Sequence, residues 1–259
     1  MVTSGDRGTP AADSMAGLKG LFVAEIVRAL AEGEVDLAVH SAKDLPSEDY
    51  ADIVVAAIPE RASPFDVLVS REPSLEGGAT VGSSSLRRRG QLLRSRPYGV
   101  VEVRGNVDTR LRKMNEGDVD GLVLAAAGVA RLGLSLPNVE VLPEDEMMPA
   151  PGQGALAVQT RADSEARELV AQLDDRVSRL AFEAERTVVR LLGGGCALPL
   201  GALATAHDGH VHVRAIVLRP DGTGLLTAEA TGDGPETAAR EVADRLLAAG
   251  ADRILDELT

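Results

Sequence analysis

Two stretches far apart in the chain follow nearly the same local plan. Glu32-Gly33-Glu34-Val35-Asp36-Leu37-Ala38-Val39 and Glu116-Gly117-Asp118-Val119-Asp120-Gly121-Leu122-Val123 each close a helical segment on glycine and open an apolar strand. A chain that alternates helix and apolar strand in this way is driven toward α/β layers, with helices covering a sheet. The echo fits two α/β domains of shared local topology. Open sheets of this kind place ligands beyond the carboxyl ends of their strands, so a ligand is expected at the loops after each strand.

The periodicity predicts a helix over Gly20–Leu30, with Phe22, Ile26 and Leu30 at four-residue spacing and Gly33 as its stop. A short buried strand is expected at Val35–His40, left by Ser41-Ala42-Lys43-Asp44-Leu45-Pro46, where Pro46 forbids continuation. Further strands are expected at Ile53–Ile58, Phe65–Ser70, Thr80–Gly82, Val100–Arg104 and Ala155–Gln159. Helices are expected at Leu86–Arg94, from an Asn106 cap to Asn115, and at Ser164–Leu173 and Val177–Leu192. After Gly201 the pattern changes: His207-Asp208-Gly209-His210 and Pro220-Asp221-Gly222-Thr223 are hairpin signals between β-rich stretches, followed by a helix over Glu236–Ala248 and a short one near the end. This is a smaller α+β unit.

A length of 259 residues suits two or three domains. No apolar run is long enough to span a bilayer, and the start lacks a basic region followed by an apolar one, so neither a membrane span nor a secretory signal is expected. One cysteine cannot make an internal disulfide or a cysteine-rich zinc site, so no metal is expected and a cytoplasmic home is the default. The net charge of −13 argues against nucleic acid as a partner, as does the scarcity of aromatic residues for stacking. The charge is unevenly spread. Between Val81 and Lys113, nine basic residues face only Glu102 and Asp108, giving this segment +7 and leaving −20 for the rest. An arginine island on an acidic protein suits a specific anionic ligand, since guanidinium is a planar fork matched to carboxylate or phosphate; a solvated charged face is the plainer alternative.

Within that island, Ser83-Ser84-Ser85-Leu86-Arg87-Arg88 joins a strand end, hydroxyls at a helix start and cations one turn in, an anion site if it is more than a serine cap. Arg104-Gly105-Asn106 and Thr109-Arg110 could converge on the same anion. Asp44 follows Lys43 after a strand: a carboxylate there could stabilise a positive intermediate or hold an ammonium group, or be ordinary turn chemistry. His40 reads as a satisfied core residue. Cys196, in Gly193-Gly194-Gly195-Cys196, follows a helix C-terminus, the wrong end of the dipole for a reactive thiolate. That disfavours a turnover nucleophile and leaves slow covalent attachment open.

Taken in order, these stretches resemble the porphobilinogen deaminase (hydroxymethylbilane synthase) family. The matching segments are Lys19-Gly20-Leu21-Phe22, Val39-His40-Ser41-Ala42-Lys43-Asp44-Leu45-Pro46 and Val81-Gly82-Ser83-Ser84-Ser85-Leu86-Arg87-Arg88. They continue with Arg104-Gly105-Asn106-Val107-Asp108-Thr109-Arg110-Leu111, Ala127-Gly128-Val129-Ala130-Arg131-Leu132-Gly133, Gly152-Gln153-Gly154-Ala155, and Gly194-Gly195-Cys196 with Pro199. The resemblance implies two periplasmic-binding-protein-like α/β domains plus a small C-terminal α+β domain: residues 1–60 with 154–172, residues 61–153, and residues 173–259. It implies a monomeric transferase that condenses four porphobilinogen molecules head to tail, releasing ammonia, to give the linear tetrapyrrole hydroxymethylbilane of heme biosynthesis. It places a covalent dipyrromethane cofactor on Cys196, makes Asp44 catalytic, and assigns carboxylate binding to Lys43, Arg87, Arg88, Arg104, Arg110 and Arg131. Ser84, Ser85, Ala125 and Gln153 match further contact positions, and Lys19 and Phe22 a mobile loop.

Departures from the family pattern are Ser83 for the usual threonine and Gly193 for a common glutamate. The family's opening strand–helix–strand unit, with its Gly-Thr-Arg-x-Ser-like motif, has no counterpart in Val2-Thr3-Ser4-Gly5-Asp6-Arg7. From the usual size of such a unit, roughly 40 residues are expected to be absent, with loss of a sheet edge or centre and part of the site. The alternative is therefore a catalytically impaired or non-catalytic anion- or pyrrole-binding relative.

Overall fold

The computed structural model describes residues 15–46, 50–193 and 198–258, with side chains described from Val23 onward. Among the described residues the strands form three sheets. The first has the order β1-β8-β2, from Ala38–Ser41, Leu156–Arg161 and Ile53–Ala57, all antiparallel. Helix α1 (Met15–Ala31) covers one face through Val23, Val27 and Leu30, and Phe182 enters the same core. The sequence places a strand buried throughout at Val35–His40. Instead β1 begins at Ala38, and Leu37 and Val39 are 44% and 52% exposed. The reason is position: β1 is an edge strand of a small sheet with one covered face.

The second sheet has the order β5-β4-β6-β3-β7. Its members are β3 (Asp66–Ser70), β4 (Thr80–Gly82), β5 (Gly99–Val101), β6 (Gly121–Ala125) and β7 (Asn138–Val141). Alternate residues feed two cores. Val67, Val69, Leu122 and Leu124 face helix α3 (Val107–Glu116), while Leu68, Val81 and Val123 pack with Leu92 of α2 (Leu86–Ser95). Burial on both faces is why β3 and β6 read as continuous apolar runs. The strand expected over Val100–Arg104 stops at Val101, because its partner β4 ends at Gly82. Strand β7 was not expected; it is short, lies at the edge and is largely exposed.

The third sheet is the antiparallel β11-β10-β9, from Leu226–Asp233, His210–Val217 and Leu200–His207. Asp208 (φ 50°) and Gly209 (φ 85°) make the tight first hairpin, as the sequence indicates. Helices α6 (Arg176–Leu191), α7 (Pro235–Ala248) and α8 (Ala251–Asp256) supply the rest of its core. Helices α4 (Ala126–Arg131) and α5 (Glu165–Ala171) complete the set.

Candidate active site

Strands β4, β5 and β6 run parallel, so their carboxyl ends share one edge of the second sheet. Each leads toward a helix start. Beyond β4, Ser83 is buried and accepts from Ser85 N (3.2 Å), and Ser85 Oγ caps α2 by accepting from Arg88 N (3.4 Å). Beyond β5, Asn106 Oδ1 caps α3 by accepting from Thr109 N (2.8 Å). Arg110 Nε donates to Gly105 O (2.8 Å), while Arg104 lies exposed and pairs with Glu102 (2.7 Å). Beyond β6, Ala125 leads into α4, whose Arg131 donates to Gly154 O (2.7 Å). Helix starts and cations along one edge suit an anion.

Arg87 and Arg88 are not open to solvent. Both pair with Asp66, which is fully buried: Arg87 at 2.8 Å and Arg88 at 2.7 Å. Burial alone would raise the Asp66 pKa, but the two guanidiniums override it and hold the carboxyl well below the ordinary range. A carboxylate depressed in the folded state stabilises the fold above its unfolded pKa of about 4 and loses that contribution as pH falls below it. Thermal unfolding followed from pH 7 downward should show the wild type losing stability through this acid window more steeply than Asp66→Asn.

On the other side of the cleft, β1 runs into a single 3-10 turn, Ala42–Asp44. Lys43 and Asp44 are half-buried there. Lys43 Nζ donates to Gln153 Oε1 (3.3 Å), and the fully buried Gln153 also donates to Asp66 Oδ1 (2.9 Å) and Pro64 O (2.7 Å). The turn is seated on Gly152. A Cβ at Gly152 (φ 72°) would lie 2.9 Å from Lys43 N, and one at Gly154 (φ 86°) would lie 2.4 Å from Ala62 O. Only glycine lets this crossover pass so close to the turn at Gly152 and to the Ala62–Ser63 backbone at Gly154. His40 is buried, and burial pushes its pKa down against the pull of the Asp44 charge. It is not the satisfied core residue expected: its Nε2 and the nearby Gln159 Oε1 lack hydrogen-bond partners among the described residues.

A cavity of about 80 Å³ is lined by Lys43, Ser85, Arg87, Phe182, Arg186 and Leu198, among others. Lys43, Ser85 and Arg87 thus meet at one cavity, with Arg88 and Gln153 bonded directly behind it. Asp44 does not line it, although its neighbours Lys43 and Leu45 do; Arg104, Arg110, Arg131, Ser84 and Ala125 do not line it either and lie along or beyond the strand-end edge. The side chains of Lys19 and Phe22, and all of Cys196, lie outside the described residues. Leu198, two residues after Cys196, is on the cavity wall.

Sequence reasoning missed Asp66, Arg61 and Glu185. Glu185 is fully buried and accepts from Arg61 (2.6 and 3.0 Å), Gly152 N (2.6 Å) and Ala204 N (2.8 Å). It joins both crossovers between the first two sheets to the third. A signal existed: Glu185 interrupts the apolar face Ala181, Phe182, Ala184, Val188 of α6. Removing one partner of a buried pair strands the other charge, so Glu185→Ala should destabilise the fold by about 3–5 kcal/mol, read by denaturant unfolding.

A cavity lined by fixed cations and the Ser85 hydroxyl, with the half-buried Lys43–Asp44 turn beside it, defines an α/β protein suited to an anionic ligand. Residues 1–168 match the family model "Porphobilinogen deaminase, dipyromethane cofactor binding domain", and residues 179–248 match that of its C-terminal domain. A porphobilinogen deaminase of Rubrobacter xylanophilus is 46% identical, over 98% of this chain and 85% of its own. Those of Brevibacillus brevis and Listeria monocytogenes are 44% and 40% identical, over 100% of this chain and 86% of theirs. The chain belongs to the porphobilinogen deaminase family, transferases with a dipyrromethane cofactor that build a linear tetrapyrrole.

Proposed function

We propose that this chain condenses four porphobilinogen molecules into hydroxymethylbilane, with Asp44 as the catalytic carboxylate and Cys196 as the attachment point of dipyrromethane. One observation carries the assignment: Lys43, Ser85 and Arg87 converge on the cavity that Leu198 also lines. A pyrrole bearing an acetate and a propionate calls for such cations, and Arg110 adds another with no carboxylate partner among the described residues. The residues present therefore fit the cofactor. Bound there, dipyrromethane supplies the free pyrrole position to which the first substrate is joined.

The roles of the chain's own residues follow from placement. Lys43, fixed by Gln153, and Arg87, fixed by Asp66, hold carboxylates at set positions, which aligns the reacting ring. Asp44, beside Lys43, faces the substrate's aminomethyl group, holds its ammonium proton, and balances the positive charge that develops on the substrate ring as ammonia leaves. Arg104, Arg110 and Arg131, with Ser84 and Ala125, extend the cationic surface for later rings. Lys19 and Phe22 are assigned to a loop over the cleft.

The domain limits proposed are residues 1–60 with 154–172, residues 61–153, and residues 173–259; the three separate sheets support this division. The protein is proposed to act as a cytoplasmic monomer, the compartment being supported by its single cysteine. Among the described residues, no helix is long and apolar enough to cross a membrane.

The test is to supply porphobilinogen to the purified chain and follow its consumption, ammonia release and linear tetrapyrrole formation together. Consumption in step with ammonia release is expected; binding without consumption would reduce the chain to a non-catalytic relative. Arg110→Gln should raise KM by roughly tenfold, the loss of one charge-assisted contact, with a smaller effect on kcat.

A further inference from the structure

We propose that Asp66 is the counter-ion that sets how much negative charge the arginine corner of the cleft accepts. The proposal builds on the reading that Arg87 and Arg88 hold carboxylates of the growing chain, and assigns a role to a residue outside that set. Arg87 and Arg88 are adjacent on α2 and only 3% and 7% exposed. Two guanidiniums in so dry a place repel each other, a cost met either by a ligand or by the protein. Asp66 meets it. Its Oδ2 accepts from Arg87 (2.8 Å), and its Oδ1 from Arg88 (2.7 and 3.2 Å) and from Gln153 (2.9 Å).

Two guanidiniums against one carboxylate leave a single net positive charge. Backbone carbonyls take further donors: Met148 O from Arg87 and Val123 O from Arg88 (3.0 Å). Arg87 still reaches the cavity wall. The corner is therefore matched to one ligand carboxylate at a time, although each added pyrrole brings two. With both arginines unneutralised it would bind the chain more tightly in every bound state, and uniform tightening slows whatever must let go. Asp66 acts through the arginines, as a positioning residue that keeps affinity low enough for a lengthening polyanion to advance.

The experiment compares wild type, Asp66→Asn, and Asp66→Asn with Arg88→Gln, which restores the single net charge. It measures steady-state kinetics with porphobilinogen and the intact-mass profile of enzyme species carrying added pyrroles. For Asp66→Asn, KM should fall roughly threefold and kcat about tenfold, with pyrrole-extended species accumulating. The double variant should return toward the wild-type profile. A folded Asp66→Asn with raised KM and unchanged kcat, or with wild-type kinetics, overturns the proposal. If Asp66→Asn does not fold, the double variant decides: a wild-type-like profile supports the charge-setting role, and accumulation, or failure to fold, overturns it. Arg87→Gln separates the two levels, because an unchanged KM there would show that the corner holds no substrate, whatever Asp66 does.

Discussion

Asp44→Asn is expected to fold normally and to lose turnover by at least ~10²-fold, the lower end of what a positioned acid–base group contributes. The substitution keeps the shape and removes the charge. The turn that carries it is closed by backbone, Leu45 N donating to Ala42 O (3.3 Å), and is seated against Gly152. With Lys43 and Arg87 proposed to hold the substrate carboxylates, KM should move far less than kcat. This split marks an interaction made chiefly in the transition state. Thermal unfolding would confirm the fold, and porphobilinogen consumption would read the loss. Wild-type activity in the variant would remove Asp44 from the chemistry.

Much of the fold is legible in the sequence where local rules decide it. Asn106 caps α3 and Gly117 ends it at φ 93°, as their types suggest. The Asp208-Gly209 pair makes its tight hairpin because both residues accept positive φ. Legibility fails where neighbours in space decide. Val39 looks like a buried strand residue, but β1 lies at a sheet edge and leaves it half open. Strand β7 exists only because β3 offers an edge, and nothing in Asn138-Val139-Glu140-Val141 marks it strongly.

The site divides in the same way. Ser85, Arg87 and Arg88 follow one strand in sequence, so their placement at a helix start can be read directly. Their counter-ion cannot: Asp66 lies 21 residues from Arg87, and reads as an ordinary acid after Pro64-Phe65. Arg61 and Glu185 are 124 residues apart, and only the buried placement of Glu185 on an apolar helix face hints at a partner. The family resemblance names residues that touch ligand. It says little about the residues that hold those in place.

The second large effect belongs to Cys196. Helix α6 ends at Leu191, with Gly193 at φ 67° turning the chain, so the cysteine follows the negative end of a helix dipole. That setting does not favour a thiolate for repeated turnover. It is compatible with a bond made once, and Leu198, two residues further on in sequence, lines the same cavity as Lys43 and Arg87. Cys196→Ala should therefore lose the covalent cofactor and, with it, all tetrapyrrole formation, while unfolding as the cofactor-free wild type does. The most direct measurement is the intact mass of the purified protein beside that variant, each before and after exposure to porphobilinogen. The expected result is a wild-type mass raised by one dipyrromethane unit, and a Cys196→Ala mass equal to the bare chain. An unmodified wild type after exposure, or an adduct that survives in the variant, would contradict it.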